Sequence, residues 1–223
     1  MTFGGGFGRV FRPAFDPGLT ALPWYRAGGA PLPVAAYQPK GASSLAASYV
    51  NLANPGTYDA APGTAPTFDA ATGWTFDGNT QYVTTGVVPT HPMSLILRVA
   101  NGYTGPQARV TAGCYDGKAF ILESGYGGFR YYEYGTAYTG PGAAVAAGVM
   151  CLTPTQGYLN GATDGTTMSG GTTLPVHALT IGGRNDGGAV NSLWIGKIQA
   201  VAIYSTALTA PQVAAVSAAM AAL

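Results

Sequence analysis

Leu193-Trp-Ile-Gly-Lys-Ile-Gln-Ala-Val-Ala-Ile-Tyr204 is the longest candidate strand in the chain, and its reading decides the fold class. Aromatic and β-branched residues of this kind suit a pleated, half-buried surface. The same texture recurs upstream at Trp74 to Phe76, Gln81 to Thr85, Ser94 to Ala100, Arg109 to Tyr115, Ala119 to Glu123, Phe129 to Tyr134, Val149 to Leu152, Gly157 to Asn160 and Leu179 to Gly182, each bounded by Gly, Asn, Asp or Pro. Asp77-Gly78-Asn79 and Asn160-Gly161 read as tight hairpin turns, because Asn and Gly accept positive φ. Many short strands at close spacing, with almost no helix between them, predict an all-β fold of the sandwich or jelly-roll type. One helix is expected, over 210–223. Thr209-Ala-Pro-Gln212 has the form of a capping box with Pro in the first turn, and Val213, Val216, Met220 and Leu223 recur at helical spacing. It is expected to pack on the sandwich edge.

The chain has 223 residues, enough for one domain with attachments. Ten Lys and Arg stand against nine Asp and Glu, a formal charge of +1, so no long-range field draws in nucleic acid or an anionic membrane. Charged residues make up 9% of the chain, far below the roughly 25% of an average soluble domain, so much of the surface is uncharged polar or is covered by a partner. Its apolar runs fall short of the roughly 20 residues a membrane span requires. A Gly-rich start without an apolar core predicts no secretory signal. Cys114 and Cys151 do not make a disulfide framework and are expected as buried free thiols.

Residues 1–42 differ from the rest. Prolines at 13, 17, 23, 31, 33 and 39 and glycines at 4 to 6 exclude a helix or long strand. Phe3, Phe7, Phe11, Phe15, Trp24 and Tyr25 are nevertheless costly to leave in water. The segment is expected to be an extended docking arm, followed by a domain over 43–223.

Gly73-Trp-Thr-Phe-Asp-Gly78 with Gln81-Tyr-Val-Thr-Thr-Gly86 resembles the opening strands of laminin-G-like members of the concanavalin A-like lectin/glucanase superfamily. Leu179-Thr-Ile-Gly-Gly183, Trp194 to Tyr204 and Leu208-Thr209 resemble that family's closing strands more closely. The resemblance implies two antiparallel sheets packed face to face in a concanavalin A-like jelly roll. The leader, with Trp24-Tyr-Arg-Ala-Gly-Gly29, Ala36-Tyr-Gln-Pro-Lys-Gly41 and Asn51-Leu-Ala-Asn-Pro-Gly-Thr57, is similar to laminin-G-like structural proteins of tailed bacteriophages. That implies a virion location.

The superfamily includes glucanases, whose chemistry requires paired carboxylates. Glu123 and Glu133 are the two glutamates, each without an acidic neighbour two residues away, so a hydrolase would need them brought together from different strands. No Gly-x-Ser-x-Gly elbow or phosphate-binding loop is present, and His91 and His177 lack the neighbours of a zinc site. Asn185 and Asp186 are weak candidates for calcium, since hard cations generally want six or more oxygens, and no other cofactor is implied. Glycan recognition is better served. Sugar rings stack on aromatic planes and bond to polar side chains, and Tyr126 to Tyr138 is rich in both. On a strand, Phe129, Tyr131 and Glu133 share one face and Arg130, Tyr132 and Tyr134 the other. Tyr126, Arg130, Tyr132, Tyr134 and Tyr138 are the residues expected to meet a glycan or a neighbouring subunit.

Together these features predict a non-enzymatic virion structural protein, a capsid decoration or a fibre or tail appendage. Its expected partners are other virion proteins, reached through the arm, and further copies of itself. The alternative is a carbohydrate-binding module that recognises a cell-surface glycan; a glycan hydrolase is the weaker third reading.

Overall fold

The computed structural model describes residues 22–126, 128–169 and 171–223. In chain order these form a 3-10 segment (Trp24–Gly29), β1 (Ala35–Tyr37), α1 (Leu45–Ser48), β2 (Ala61–Thr64), β3 (Thr67–Asp69), β4 (Gly73–Asp77), β5 (Tyr82–Thr84) and β6 (Ser94–Ala100). There follow β7 (Val110–Tyr115), β8 (Ala119–Tyr126), β9 (Phe129–Gly135), β10 (Ala137–Ala143), β11 (Gly148–Leu152), β12 (Gly157–Leu159) and β13 (Ala162–Asp164). The chain closes with β14 (Thr180–Ile181), β15 (Arg184–Asp186), β16 (Ala189–Asn191), β17 (Ile195–Tyr204) and α2 (Ala210–Ala221).

The strands make an all-β sandwich of two sheets. The first runs β13-β12-β11-β6-β17-β4-β3, with β1 beside β17. The second runs β10-β9-β8-β7-β14-β5-β2, extended by β15 and β16. Pairing is antiparallel apart from β15 on β7. Asn160 and Gly161 both adopt positive φ and turn β12 into β13, the expected hairpin. Asp77-Gly78-Asn79 does not make a hairpin. Asp77 accepts hydrogen bonds from the backbone N–H of Asn79 and Thr80, and this turn carries the chain from β4 in the first sheet to β5 in the second.

β17 explains why its sequence is so apolar. Ile198, Val201 and Ile203 point between the sheets with Trp74, Phe76, Leu95, Leu97, Phe120, Leu122, Tyr132 and Tyr134. Ala200, Ala202 and Tyr204 point the other way, into a second core with Ile96, Val149 and Cys151. The inner set changes from even to odd numbers because the register against β6 shifts between Ile198 and Ala200. A strand hidden on both faces has little reason to alternate polar and apolar residues.

The second core is capped by Trp24 and Tyr25 from the 3-10 segment and by Val213, Val216 and Met220 from α2. The helix therefore lies on the outer face of the first sheet and not on the sandwich edge, since its apolar stripe meets the exposed backs of β6, β11 and β17. The Tyr204 hydroxyl donates to the Tyr25 carbonyl (2.7 Å), Trp24 Nε1 to Gln38 Oε1 (2.8 Å), and Arg98 to the Met220 and Leu223 carbonyls (both 2.9 Å). Gly28, at φ +63°, passes so close to the helix that a Cβ would stand 2.5 Å from that of Ala215.

Two expectations about residues 1–42 change in consequence. Trp24 and Tyr25 are anchors in this chain's own core and not docking residues, and residues 35–37 form a strand of the sandwich, so the domain begins well before residue 43. Phe3, Phe7, Phe11 and Phe15 lie outside the described residues. Cys114 and Cys151 are buried free thiols on opposite sides of the first sheet, in different cores. No helix among the described residues is long and apolar enough to cross a membrane.

If Trp24 is a core residue, Trp24→Ala should destabilise the domain by about 3–5 kcal/mol, the usual range for emptying a buried aromatic site. Urea unfolding of the full chain measures this; an unchanged midpoint would return Trp24 to the docking arm.

Candidate functional site

With the outer face of the first sheet capped, the outer face of the second carries the chain's polar cleft. This cleft has a volume of about 410 Å³ and is lined by Ala108, Glu123, Tyr131, Glu133, Tyr138 and Arg184. Its geometry follows from strand register. β8 and β9 pair with Ile121 opposite Glu133 and Glu123 opposite Tyr131, while β9 and β10 pair with Glu133 opposite Tyr138. Two Glu–Tyr pairs thus lie on adjacent rungs of the same face. The glutamates occupy diagonal positions, a separation of about 7–8 Å across an antiparallel pair.

Arg184 enters from the loop side. β15 runs parallel to β7 with Arg184 beside Gly113, where a Cβ would come within 2.9 Å of Ile121 Cγ1. The Arg184 guanidinium stacks over the Tyr115 ring, 5.1 Å from its centroid, and donates to Asp186 Oδ2 at 2.8 Å. Asn191 donates to the same oxygen at 3.0 Å. The Nε of Arg184 is buried and has no hydrogen-bond partner among the described residues.

Glu123 is 7% exposed and sits above Val110, Ala119 and Ile121, a small apolar cluster on this face. Burial pushes its carboxyl up to about 7; the Glu133 charge pushes in the same direction and Arg184 opposes both. Burial also raises Glu133, again against Arg184. Among the described residues nothing donates a hydrogen bond to the Glu123 carboxyl.

The residues expected from sequence divide on this geometry. Tyr138 is 69% exposed and stands at the cleft. Tyr132 and Tyr134 are corrected: they are 1% and 0% exposed and belong to the core between the sheets. Alternation along β9 holds, but the assignment of faces is the reverse of that expected, with Tyr131 and Glu133 outward. Arg130 is corrected as well. It reaches across the sandwich edge to form an ion pair with Asp164 of β13, and Tyr132 donates to the same carboxylate at 2.8 Å. Burial alone would raise the Asp164 carboxyl, but the hydrogen bonds from Arg130 and Tyr132 outweigh it and hold the group below its ordinary value. This network joins the two sheets. Tyr126 is the last residue of β8.

The calcium candidates have other occupations. Asp186 is bound to Arg184 and Asn191, while Asn185 donates to the Ala178 carbonyl and accepts from the Gly188 N–H. No group of three or more potential metal-ligating side chains occurs among the described residues.

No known protein family matches the chain, and no curated protein matches it either. Solved structures do. A mutant of Trypanosoma rangeli sialidase displaying trans-sialidase activity is similar at a TM-score of 0.58 and 18% identity, over 86% of this chain and 34% of that one. Domain 4 of AbnA, a GH43 extracellular arabinanase from Geobacillus stearothermophilus, in complex with arabinotriose, is similar at a TM-score of 0.56 and 13% identity, over 83% of this chain and 98% of that domain. The chain thus spans about a third of the sialidase and nearly the whole of the arabinanase domain. The likeness is one of fold, a β-sandwich occurring in carbohydrate-related proteins.

Because the folded state keeps the Glu123 proton to higher pH than the unfolded chain, this group favours folding most below its ordinary value near 4.5 and least above 7. Wild type should therefore lose roughly 2 kcal/mol relative to Glu123→Gln between pH 4.5 and 7.5, after a discount for solvent screening. Paired urea titrations at those two pH values read the difference directly; a constant difference would place Glu123 in open solvent.

Proposed function

We propose that this domain is a non-enzymatic carbohydrate-binding module, laminin-G-like in kind, that takes a saccharide on the outer face of its second sheet. One observation carries the reading: Tyr131 and Tyr138 share a cleft with the carboxyls of Glu123 and Glu133 and with Arg184. Sugar C–H faces pack on aromatic planes while hydroxyls bridge to carboxylates and guanidinium, so recognition needs this mixture in one place. The arabinanase domain of similar fold, in complex with arabinotriose, supports the choice of ligand class.

Tyr138 is the cleanest probe, because it is exposed and contributes little to the core. Tyr138→Ala should weaken glycan binding by about 1–2 kcal/mol, five- to thirtyfold, without moving the unfolding midpoint. Calorimetric titration with a bound oligosaccharide measures the first and urea unfolding the second. An unaltered affinity would remove the cleft from the binding surface. Oligosaccharides incubated with the protein should be recovered intact; new reducing ends would instead make Glu123 an acid and Glu133 its ionised partner.

A second reading concerns where such a module is displayed. Four phenylalanines at four-residue spacing, Phe3, Phe7, Phe11 and Phe15, precede a domain whose cores are assembled among the described residues from Trp24 onward. Together with the 9% charge content, this supports a virion structural protein, a capsid decoration or a fibre or tail appendage, that is attached through its leader. Deleting residues 1–21 should leave the unfolding midpoint unchanged and abolish incorporation into the particle. Normal incorporation of the truncated chain would end the docking idea.

A further inference from the structure

The charges around the cleft bear on which saccharides can enter it. Glu123 and Glu133 face it from β8 and β9, and Arg184 faces it from β15. The single guanidinium is already matched by Asp186, with which it forms an ion pair, and its face is occupied by Tyr115. Two carboxyls therefore stand against a cation whose charge is largely answered within the protein. Capture of a carboxylate or sulfate calls for the opposite balance, a guanidinium fork or a cluster of cations free to pair with it.

From this geometry we infer, resting on the carbohydrate reading above, that the cleft selects uncharged, hydroxyl-rich saccharides and rejects those carrying a carboxylate or sulfate. A neutral sugar offers what the cleft lacks. Its hydroxyl groups donate to the Glu133 and Glu123 carboxyls that line the cleft. An anionic group in the same place would face two carboxyls at short range in a partly desolvated site, where repulsion is poorly screened. The partial protonation of Glu123 near neutral pH softens this repulsion without reversing it, since Glu133 still faces the same space. Among the residues that line the cleft, Arg184 is the one cation, and Asp186 pairs with it; His177 also acts on Asp186 from nearby.

The test uses the full chain at pH 7.5 on an array of matched glycans, each neutral oligosaccharide printed beside its sialylated, uronate-bearing and sulfated counterparts. The expected result is binding to one or more neutral members with at least tenfold weaker binding to their anionic partners. The preference should narrow in Glu133→Gln, because that variant removes a repelling charge and leaves the side chain nearly the same size. Tyr138→Ala should weaken all binding while leaving the ratio within each pair unchanged. Equal or tighter binding of the anionic members overturns the inference and leaves the carbohydrate reading standing. An array with no signal on any pair, from protein that is folded by circular dichroism, overturns the carbohydrate reading and the inference with it.

Discussion

The rest of the structure depends on the burial of both faces of β17 and its neighbours. An antiparallel sheet ordinarily needs only one apolar face, and the other can stay in water. Here the first sheet is apolar on its back as well, with Ile96, Val149, Cys151, Ala200, Ala202 and Tyr204, and that surface must be covered by something. The chain covers it with its own two ends: Trp24 and Tyr25 arrive from one side of the sequence and α2 from the other, and they meet where Gly28 crosses Ala215. Hydrogen bonds from Tyr204 to the Tyr25 carbonyl and from Arg98 to the end of α2 fix the cap. Once both ends are committed there, the polar cleft falls on the opposite side of the molecule, on the outer face of the second sheet.

On that second face the site is a product of register. Glu123 and Glu133 are ten residues apart and look isolated in sequence, yet the antiparallel pairing of β8 with β9 makes them diagonal neighbours. A one-residue slip of β9 would send Glu133 into the core and bring Tyr132 and Tyr134 to the surface. Register is held from the inner side: Tyr132 and Tyr134 fill the core between the sheets, and the Tyr132 hydroxyl donates to the Tyr158 carbonyl and to Asp164. The ion pair of Arg130 with Asp164 ties the same strand to the first sheet. Tyr132, Tyr134 and Arg130 thus orient the outward face of β9 from within.

This inversion shows what the amino-acid sequence could and could not disclose. Strands such as Ser94–Ala100 and the capped helix after Thr209 were legible because propensity, turn residues and packing all agree there. β2, β3, β10, β13, β15 and β16 were not, because strands carrying Gly, Pro, Asn and Asp look like loops until a neighbour pairs with them, and β1 was not because three residues are too few to show a pattern. On β9 the period of two was readable, but both faces carry tyrosines and one charge each, and nothing local tells a charge that snorkels to a partner from one that faces a cleft. Arg130 has a long stem near a strand end and can sit on a core-facing side while its head leaves for Asp164. Glu133 has no such reach. The shorter side chain was the better guide to the outward face.

The position of Glu123 argues that this cleft is there for a purpose other than folding. Val110 stands opposite it across the β7–β8 pair, burial raises its affinity for a proton, and Glu133 repels it. A valine or leucine in its place would remove a buried carboxyl that lacks a donor among the described residues and would cover the same ground. A local rule broken without a local gain is the mark of a functional position, since stability alone selects against it. The contrast with Asp164 makes the point. That carboxylate is also partly buried, but Arg130 and Tyr132 satisfy it, its affinity for a proton is lowered, and its role is complete within the folded chain. Glu123 carries the burial without the partners. Under the carbohydrate reading proposed above, a hydroxyl group from outside would meet it there, beside Tyr131 and Tyr138 on the same face.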